Sequence, residues 1–287
     1  NSVSGETRGA VLIGDALNDA GDRLNAERYL AEWQDGRTPP AHDGYFVGVR
    51  YDVDRGLTVE VDPWGLFPLY YTCSGSTLIA GSSADFFGCH PHFAQEIDLG
   101  GLAGILLTNG LVGGRTLIRN VKQLDSGHIL VCDGSGRPRE LEVYRPTVGA
   151  PWVEAADDSL LEETHHAIRL AITRHRPRGT PTSLLLSGGL DSRVMAGYVK
   201  QLDIDTSALT FGLPTDYEVH AASRVAASLD LPSVVRSDEP ERSEIPRLAR
   251  ALAREQHLSG GFSNLEFGGT HAEPGEFAPY FWSGFFV

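Results

Sequence analysis

The sequence predicts two domains of different class within 287 residues: an antiparallel, β-rich α+β half followed by a parallel α/β half. Three observations predict it. Up to about residue 148, short runs rich in Val, Tyr and Phe come in pairs separated by Gly- and Asp-containing turns. Residues 145–151, Arg-Pro-Thr-Val-Gly-Ala-Pro, carry two prolines and a glycine and read as a linker. Beyond them strands alternate with helical stripes, the rhythm of a parallel sheet covered by helices on both faces. The boundaries taken are 1–148 and 149–287.

Each element has its own signal. Residues 45–51 and 57–61 alternate as strands, and Asp54-Arg55-Gly56 between them is a hairpin turn in which Gly56 supplies positive φ. Residues 69–73 and 77–80 make a second pair around Ser74-Gly75-Ser76. Residues 128–132 and 140–144 make a third around Asp133-Gly134-Ser135-Gly136. Helical spacing marks 24–33 and 99–107. In the second half, 153–175 carries Leu160, Leu161, Thr164, Ala167, Ile168, Ala171 and Ile172 as one stripe. Then come strand 182–186, helix 191–202, strand 207–211, helix 217–229, strand 233–236 and helix 245–256.

Composition narrows the function classes. Apolar residues are 41% and charged residues 22%, which supports real cores and excludes a disordered tail, a coiled coil or a collagen-like fibre. A net charge of −14 argues against nucleic acid as a partner, since a phosphate-backbone binder needs a basic face. Cys73, Cys89 and Cys132 show no metal-like spacing and read as structural thiols of a reducing, cytoplasmic protein. No apolar run reaches membrane-spanning length: residues 99–112 are cut by Gly100, Gly101, Gly104, Asn109 and Gly110. No membrane partner is expected, and no signal peptide is visible. The chain opens on Asn1 without an initiator Met, so it reads as processed or partial.

Chemistry concentrates in Ser187-Gly188-Gly189-Leu190-Asp191-Ser192, which follows the apolar run Ser183–Leu186 and opens a helix. Ligands of such sheets sit at the carboxyl ends of the strands. Two glycines let backbone approach an anion, and the amides of the helix start attract negative charge. The hydroxyls of Ser187 and Ser192 add donors. Asp191 is the odd member: a carboxylate beside phosphate makes sense with Mg²⁺ between them. The spacing is not that of a γ-phosphate-cleaving P-loop.

This hexapeptide resembles the PP-motif of ATP pyrophosphatases, which cleave ATP between the α and β phosphates. The first half resembles an N-terminal-nucleophile glutaminase domain. The likeness is carried by Gly44-Tyr45-Phe46, by Asp62-Pro63-Trp64-Gly65-Leu66-Phe67-Pro68-Leu69-Tyr70-Tyr71, by Thr116-Leu117-Ile118 and by Leu124-Asp125-Ser126-Gly127-His128. Leu209-Thr210-Phe211-Gly212 and Asp216-Tyr217-Glu218 resemble the family's adenine-side strand and the acidic helix start after it. The chain is thereby identified as a member of the asparagine synthetase-like superfamily. The resemblance implies an Ntn-hydrolase-like αββα sandwich over 1–148. It implies a PP-loop parallel α/β domain, of adenine nucleotide alpha hydrolase type, over 149–287 and incomplete at its C-terminus.

Departures from the family pattern choose among its members. A glutamine-hydrolysing member needs an N-terminal Cys. Residues 12–18 align with the family's F-N-G-E-I-Y-N segment, so the first strands are expected to precede Asn1. Ile13 stands where that segment has Asn, and an apolar side chain cannot make the polar contact. Residues 281–287 resemble the strand leading into the S-G-x-G-x-D loop, whose second Mg²⁺ carboxylate is expected past Val287. After Ser283-Gly284, asparagine synthetases carry Glu and β-lactam synthetases Tyr, whereas this chain has Phe285. The segments 106–117, Gly188 to Arg193, Glu255-Gln256-His257 and Gly261-Phe262-Ser263 look most like lasso-peptide macrolactam synthetases.

The resemblance implies a ligase. It would adenylate an Asp or Glu side chain of a ribosomal precursor peptide, then close a macrolactam with the peptide's N-terminal amine, releasing AMP and pyrophosphate without glutaminase activity. Ser187, Gly188, Gly189 and Ser192 would hold pyrophosphate. Asp191 would hold Mg²⁺, and Leu186, Phe211, Gly212, Ser283 and Gly284 would flank the adenosine of ATP. Asp191, Ser187 and Ser192 are the catalytic candidates. A leader-binding protein and a leader peptidase are the implied partners. The alternatives are a β-lactam synthetase-like enzyme, a glutamine-hydrolysing asparagine synthetase and a non-catalytic peptide-binding pseudo-synthetase. Asp216 and Glu218 could assist ATP or metal, but read first as a capped, solvated helix start. Trp64, Phe67, Tyr70 and Tyr71 read as core aromatics, and the paired histidines at 165–166 and around Pro91 as surface or packing groups.

Overall fold

Period-two patterning builds the first unit. In β3 (Asp43–Asp52), Val47 and Val49 face one core while Phe46 faces another. The computed structural model describes residues 1–33, 42–75, 77–91, 93, 96–108, 110, 113–133, 138–146, 157–236, 246–247, 250 and 278–284. They divide into two units, with 1–146 and 250 in the first and 157–236, 246–247 and 278–284 in the second. The expected boundary at 148/149 lies outside the described residues, as does nearly all of the helix expected over 245–256.

The first unit holds β1 (Ser2–Ser4), β2 (Arg8–Leu17), α1 (Ala26–Ala31), β3, β4 (Gly56–Val61), β5 (Tyr70–Ser74) and β6 (Thr77–Gly81). A 3-10 turn (Ala84–Cys89) follows, then α2 (Leu99–Thr108), β7 (Lys122–Gln123), β8 (His128–Cys132) and β9 (Pro138–Glu142). Antiparallel pairing gives a six-stranded sheet, β1-β2-β3-β4-β8-β9, and a three-stranded one, β6-β5-β7. Gly56 turns the β3–β4 hairpin at φ 88°, and a Cβ there would sit 2.1 Å from the Cys132 carbonyl oxygen.

Val47, Val59, Val61 and Leu130 of the large sheet meet Leu69, Tyr71 and Leu124 in one buried cluster between the sheets. On the far face of the large sheet, Ala10, Leu12, Ala16 and Phe46 pack with Leu24 and Tyr29 of the α1 region. Tyr70, Phe87, Ile118 and Val121 form the cluster beyond the small sheet. The layers are thus helix, sheet, sheet and a cover that includes the 3-10 turn.

Several elements differ from the sequence expectation. Helix α1 starts at Ala26 rather than at 24, because the Asn25 side chain caps it by accepting the Arg28 amide at 2.9 Å. Strand β9 runs 138–142 rather than 140–144, and the Val143 and Tyr144 amides turn instead to the Gly127 carbonyl at 2.8 and 3.0 Å. Strands β1 and β2 escaped pattern reading, since Gly9, Gly14 and Asp15 interrupt the alternation. Trp64 is 58% exposed and is no core residue, whereas Tyr70 and Tyr71 are buried. Trp64 sits in the 62–67 turn, where the buried Asp62 carboxylate accepts the amides of Leu66 (2.9 Å) and Phe67 (2.7 Å). Burial pushes the Asp62 pKa up, against the pull of those backbone donors.

The second unit alternates as expected: α3 (Asp157–His175), β10 (Thr182–Leu185), α4 (Leu190–Gln201), β11 (Thr206–Phe211), α5 (Tyr217–Ser228), β12 (Ser233–Arg236) and β13 (Tyr280–Ser283). All four strands are parallel, in the order β12-β11-β10-β13. Ile172, Leu184, Leu186, Met195, Ala196, Val199, Ala208, Ala222 and Ala226 form its core. Among the described residues, α3, α4 and α5 share that single core rather than covering both faces. Right-handed crossovers that step in one direction, β10 to β11 to β12, put their helices on one side. The opposite face carries Phe281, which is 50% exposed. Among the described residues no helix is long and apolar enough to cross a membrane.

Candidate functional site

Strand order reverses between β10 and β13, and the crevice outside the carboxyl ends at such a point is where parallel sheets bind ligands. A cleft of about 490 Å³ lies there. It is lined by Leu185, Leu186, Ser187, Gly189, Asp191, Ser192, Leu209, Thr210, Phe211, Glu218, Ser283 and Gly284. That volume falls within the roughly 300–1,000 Å³ of small-molecule sites.

The hexapeptide forms the floor of this cleft because local hydrogen bonds allow little else. The Ser192 hydroxyl oxygen accepts the Ser187 amide at 3.1 Å and lies 3.0 Å from the Ser187 hydroxyl. It also lies within donating distance of the Ser187 carbonyl (3.1 Å) and the Gly189 carbonyl (3.2 Å). The Gly189 amide in turn donates to the Ser187 hydroxyl at 3.2 Å. Ser192 is only 6% exposed, so its hydroxyl staples the loop from within. Ser187 is the more open of the two hydroxyls.

The glycines are explained by what stands behind them. A Cβ on Gly188 would lie 3.1 Å from the Ala221 Cβ and 3.2 Å from the Glu218 Cα, so α5 packs directly on the loop. A Cβ on Gly284, just past β13, would lie 2.6 Å from the Ser192 amide nitrogen. The loop is therefore gripped by α5 and β13. Gly189 is the N-cap of α4 with extended φ −71° and ψ 161°, and no side chain caps the helix there. Helix starts leave their first amides without intrahelical acceptors, and such ends favour anions. Asp191 sits in this first turn, exposed at the cleft.

Eight of the ten residues expected to hold ligand line one cleft: Leu186, Ser187, Gly189, Asp191, Ser192, Phe211, Ser283 and Gly284. Gly188 instead backs onto α5. Gly212 lies in the turn after β11 at φ 138°, where a Cβ would meet the Asp216 carboxylate and the Val219 side chain at 2.9 Å. Asp216 occupies the N-cap of α5, but its carboxylate reaches back to accept the Leu213 amide at 2.7 Å rather than a helix amide. It closes the turn rather than capping the helix forward.

The cleft also takes in Leu185, which sequence reading missed, Leu209 and Thr210, which it placed on the adenine-side strand without a ligand role, and Glu218, which it weighed for ATP or metal but read first as solvated. Parallel pairing of β10 with β11 brings Leu209 and Thr210 to the wall, and the position of Thr210 just before Phe211 was the available signal. The Thr210 hydroxyl donates to the Leu186 carbonyl at 2.8 Å, and the Leu186 amide donates to the Leu209 carbonyl at 2.9 Å. The wall is thus fixed on both strands. His165 stays at the surface, its Nδ1 2.9 Å from the Tyr198 hydroxyl. Phe285 lies outside the described residues.

Among the described residues no group of three or more His, Cys, Asp or Glu could hold a metal by themselves. Mg²⁺ binds through one or two carboxylates plus phosphate oxygens and water. Asp191 beside an anion-favouring helix start fits such an arrangement.

Comparison with known proteins follows the same division of the chain. Residues 30–144 match the glutamine amidotransferase domain family, and residues 163–261 match the asparagine synthase family. Asparagine synthetase [glutamine-hydrolyzing] 3 of Bacillus subtilis is 27% identical over 165 residues, which are 56% of this chain and 26% of that protein. Asparagine synthetase [glutamine-hydrolyzing] 1 of the same organism is 25% identical over 199 residues, 68% of this chain and 31% of that protein. Amidase chyE of Penicillium rubens is 25% identical over 169 residues, 55% of this chain and 24% of that protein. The chain spans about a quarter to a third of the length of these curated relatives.

Proposed function

We propose, from the premise that this is an asparagine synthetase-like chain in both of its matched halves, that it acts as an ATP-dependent, AMP-forming amide ligase. Its substrate would be a precursor peptide, closed into a macrolactam. The observation that carries the ligase reading is the cleft in which Ser187, Gly189, Asp191, Phe211, Ser283 and Gly284 converge at the sheet's reversal point.

The chemistry needs help at one place. A carboxylate is a poor acyl donor; attack of its oxygen on the α-phosphorus of ATP gives an acyl-adenylate and pyrophosphate. The amides at the start of α4 and the Ser187 hydroxyl offer donors to the leaving pyrophosphate, and donors fixed before the reaction stabilise charge without reorganising. Ser192 holds that loop in shape. Mg²⁺ on Asp191, when bound, would offset phosphate charge. Leu186, Thr210 and Phe211 form a wall suited to the flat adenine. A peptide amine then displaces AMP, and holding amine and adenylate together supplies much of the rate.

Two departures support a glutamine-independent, intramolecular reaction. Ile13, in the place of a polar family residue, is 55% exposed on β2, where it cannot hold an amide substrate by hydrogen bonds. Phe285 replaces the Glu or Tyr of related synthetases. A leader-binding protein and a leader peptidase belong to this reading, as does a cytoplasmic site of action. The second reading, asparagine synthetase, is favoured by the names of the Bacillus subtilis relatives.

Mass spectrometry of the products separates them. With ATP, Mg²⁺ and a precursor peptide, the peptide is expected to lose one water while AMP accumulates. Free asparagine formed from aspartate would replace the macrolactam reading with the second one. Release of neither AMP nor pyrophosphate would leave a peptide-binding pseudo-synthetase.

A further inference from the structure

Beneath α1 the first unit buries charge that the ligase reading does not use. Arg50 on β3 and Glu60 on β4 are 0% and 1% exposed, and His42, just before β3, is 1% exposed. Tyr29 of α1 is fully buried with them. The Glu60 carboxylate collects four donors. Its Oε2 accepts the Tyr29 hydroxyl at 2.8 Å and Arg50 Nη2 at 3.0 Å. Its Oε1 faces His42 Nδ1 at 2.8 Å and accepts the His42 amide at 3.4 Å. The other ring nitrogen of His42, Nε2, lies 2.8 Å from Oε2 of Glu32, at the C-cap of α1.

Both ring nitrogens of His42 thus face carboxylate oxygens at hydrogen-bond distance. An ionised carboxylate can only accept, so both nitrogens must donate, and only the imidazolium carries two N–H groups. The charges then balance: Arg50 and His42 against Glu60 and Glu32. The groups facing His42 are Tyr29 and Glu32 from α1, Phe46 and Arg50 from β3, and Glu60 from β4, among the described residues. Nearby, Arg50 lies over the Tyr29 ring at 4.2 Å, and Arg55 reaches the Trp33 carbonyl at 2.9 Å. Of the bonds that tie the C-terminal end of α1 to the sheet, the one from Glu32 to His42 depends on a proton.

We propose that His42 is a proton-operated latch: protonated, it bridges Glu32 to Glu60 and ties the end of α1 to the large sheet, and loss of the proton undoes that tie. A neutral imidazole would turn a lone pair toward one carboxylate and leave an uncompensated charge there. Glu32 is the partner able to leave, because its side chain is 31% exposed while that of Glu60 is 2%. Burial works against a charged ring. The hydrogen bond to Glu60, the Glu60 charge and the bond to Glu32 outweigh it, and the His42 pKa is held above the ordinary histidine value. A raised histidine contributes stability that is complete below its unfolded value of 6.5. That stability is lost as the pH rises through the folded value. The latch is therefore closed in mild acid and opens on the alkaline side.

The test follows the His42 ring by NMR titration, and α1 by amide exchange corrected for intrinsic rate, in the whole chain. The titration midpoint is expected above 6.5, and to fall in Glu32→Gln, which keeps the buried Arg50–Glu60 pair intact. Exchange in 26–31 is expected to rise several-fold between about pH 6 and about pH 9 in the wild type and to stay flat in His42→Gln. A midpoint at or below 6.5, or one indifferent to Glu32→Gln, would overturn the proposal. So would an equal rise of α1 exchange with pH in His42→Gln.

Discussion

Gly284 and Ser192 meet backbone to backbone: a Cβ on Gly284 would lie 2.6 Å from the Ser192 amide nitrogen and 3.0 Å from its Cα. The end of β13 thus abuts the first turn of α4, and the shape of the cleft floor depends on a residue far away in sequence. Gly284→Ala should force this contact apart. The atom in the way is backbone, which cannot swing aside, so a loss of about 1–3 kcal/mol is expected. Urea unfolding measures that loss, and calorimetry should show weaker ATP binding. Unchanged binding would show that the contact does not shape the cleft.

Ser187 and Ser192 have different environments and should fail differently. Ser192 is buried and bonded on several sides within the loop. Ser192→Ala leaves the Ser187 amide without its partner, which costs about 1–3 kcal/mol. Ser187→Ala should leave stability nearly untouched while weakening pyrophosphate or ATP binding. Thermal melting with and without nucleotide distinguishes the two variants.

The turn that displays Trp64 depends on the Asp62 carboxylate. It accepts the Leu66 and Phe67 amides, and an Asn there would have one acceptor oxygen where the carboxylate has two. Asp62→Asn should destabilise the first unit by about 1–3 kcal/mol. Urea unfolding followed by tryptophan fluorescence reads it, since Trp64 packs edge-on against Tyr144 at 5.9 Å.

Asp98 opens α2, accepting the Gly101 amide at 2.9 Å. That bond, with help from Arg115 and Arg119, holds its pKa below the ordinary 3.8. A lowered carboxylate contributes stability that is complete above its unfolded value and is lost as pH falls through the folded one. Asp98→Ala should therefore be less stable than wild type at neutral pH, with the gap closing below about pH 3.8. Acid-unfolding curves of the two proteins give the comparison, and a gap independent of pH would contradict the assignment.

What could be read from sequence was local. The Asp54-Arg55-Gly56 hairpin and the strand–loop–helix around Ser187 each carry their structural reason within a few residues. The burial of Arg50 and Glu60 was not legible, because pattern reading sends charges to solvent; only strand pairing places Glu60 opposite Gly48 and beside Arg50. The role of Ser192 escaped for a similar reason: a hydroxyl looks the same in sequence whether it faces a ligand or its own loop. The wall residue Thr210 and the grip of Gly284 depend on β10 pairing with strands distant in sequence. That α4 and α5 share one core follows from crossover handedness, which residue patterns do not encode.

Asp191 tests the central claim most directly. It is exposed in the first turn of α4 at the cleft, so its removal should not disturb packing. Pyrophosphate release from ATP and Mg²⁺, with precursor peptide present, should be robust in the wild type. In Asp191→Ala it should be lost by about 10²-fold or more, with the melting temperature unchanged. No release from the wild type would contradict the ligase reading, equal release from both proteins would contradict the role given to Asp191, and a collapsed melting curve would make Asp191 a structural residue instead.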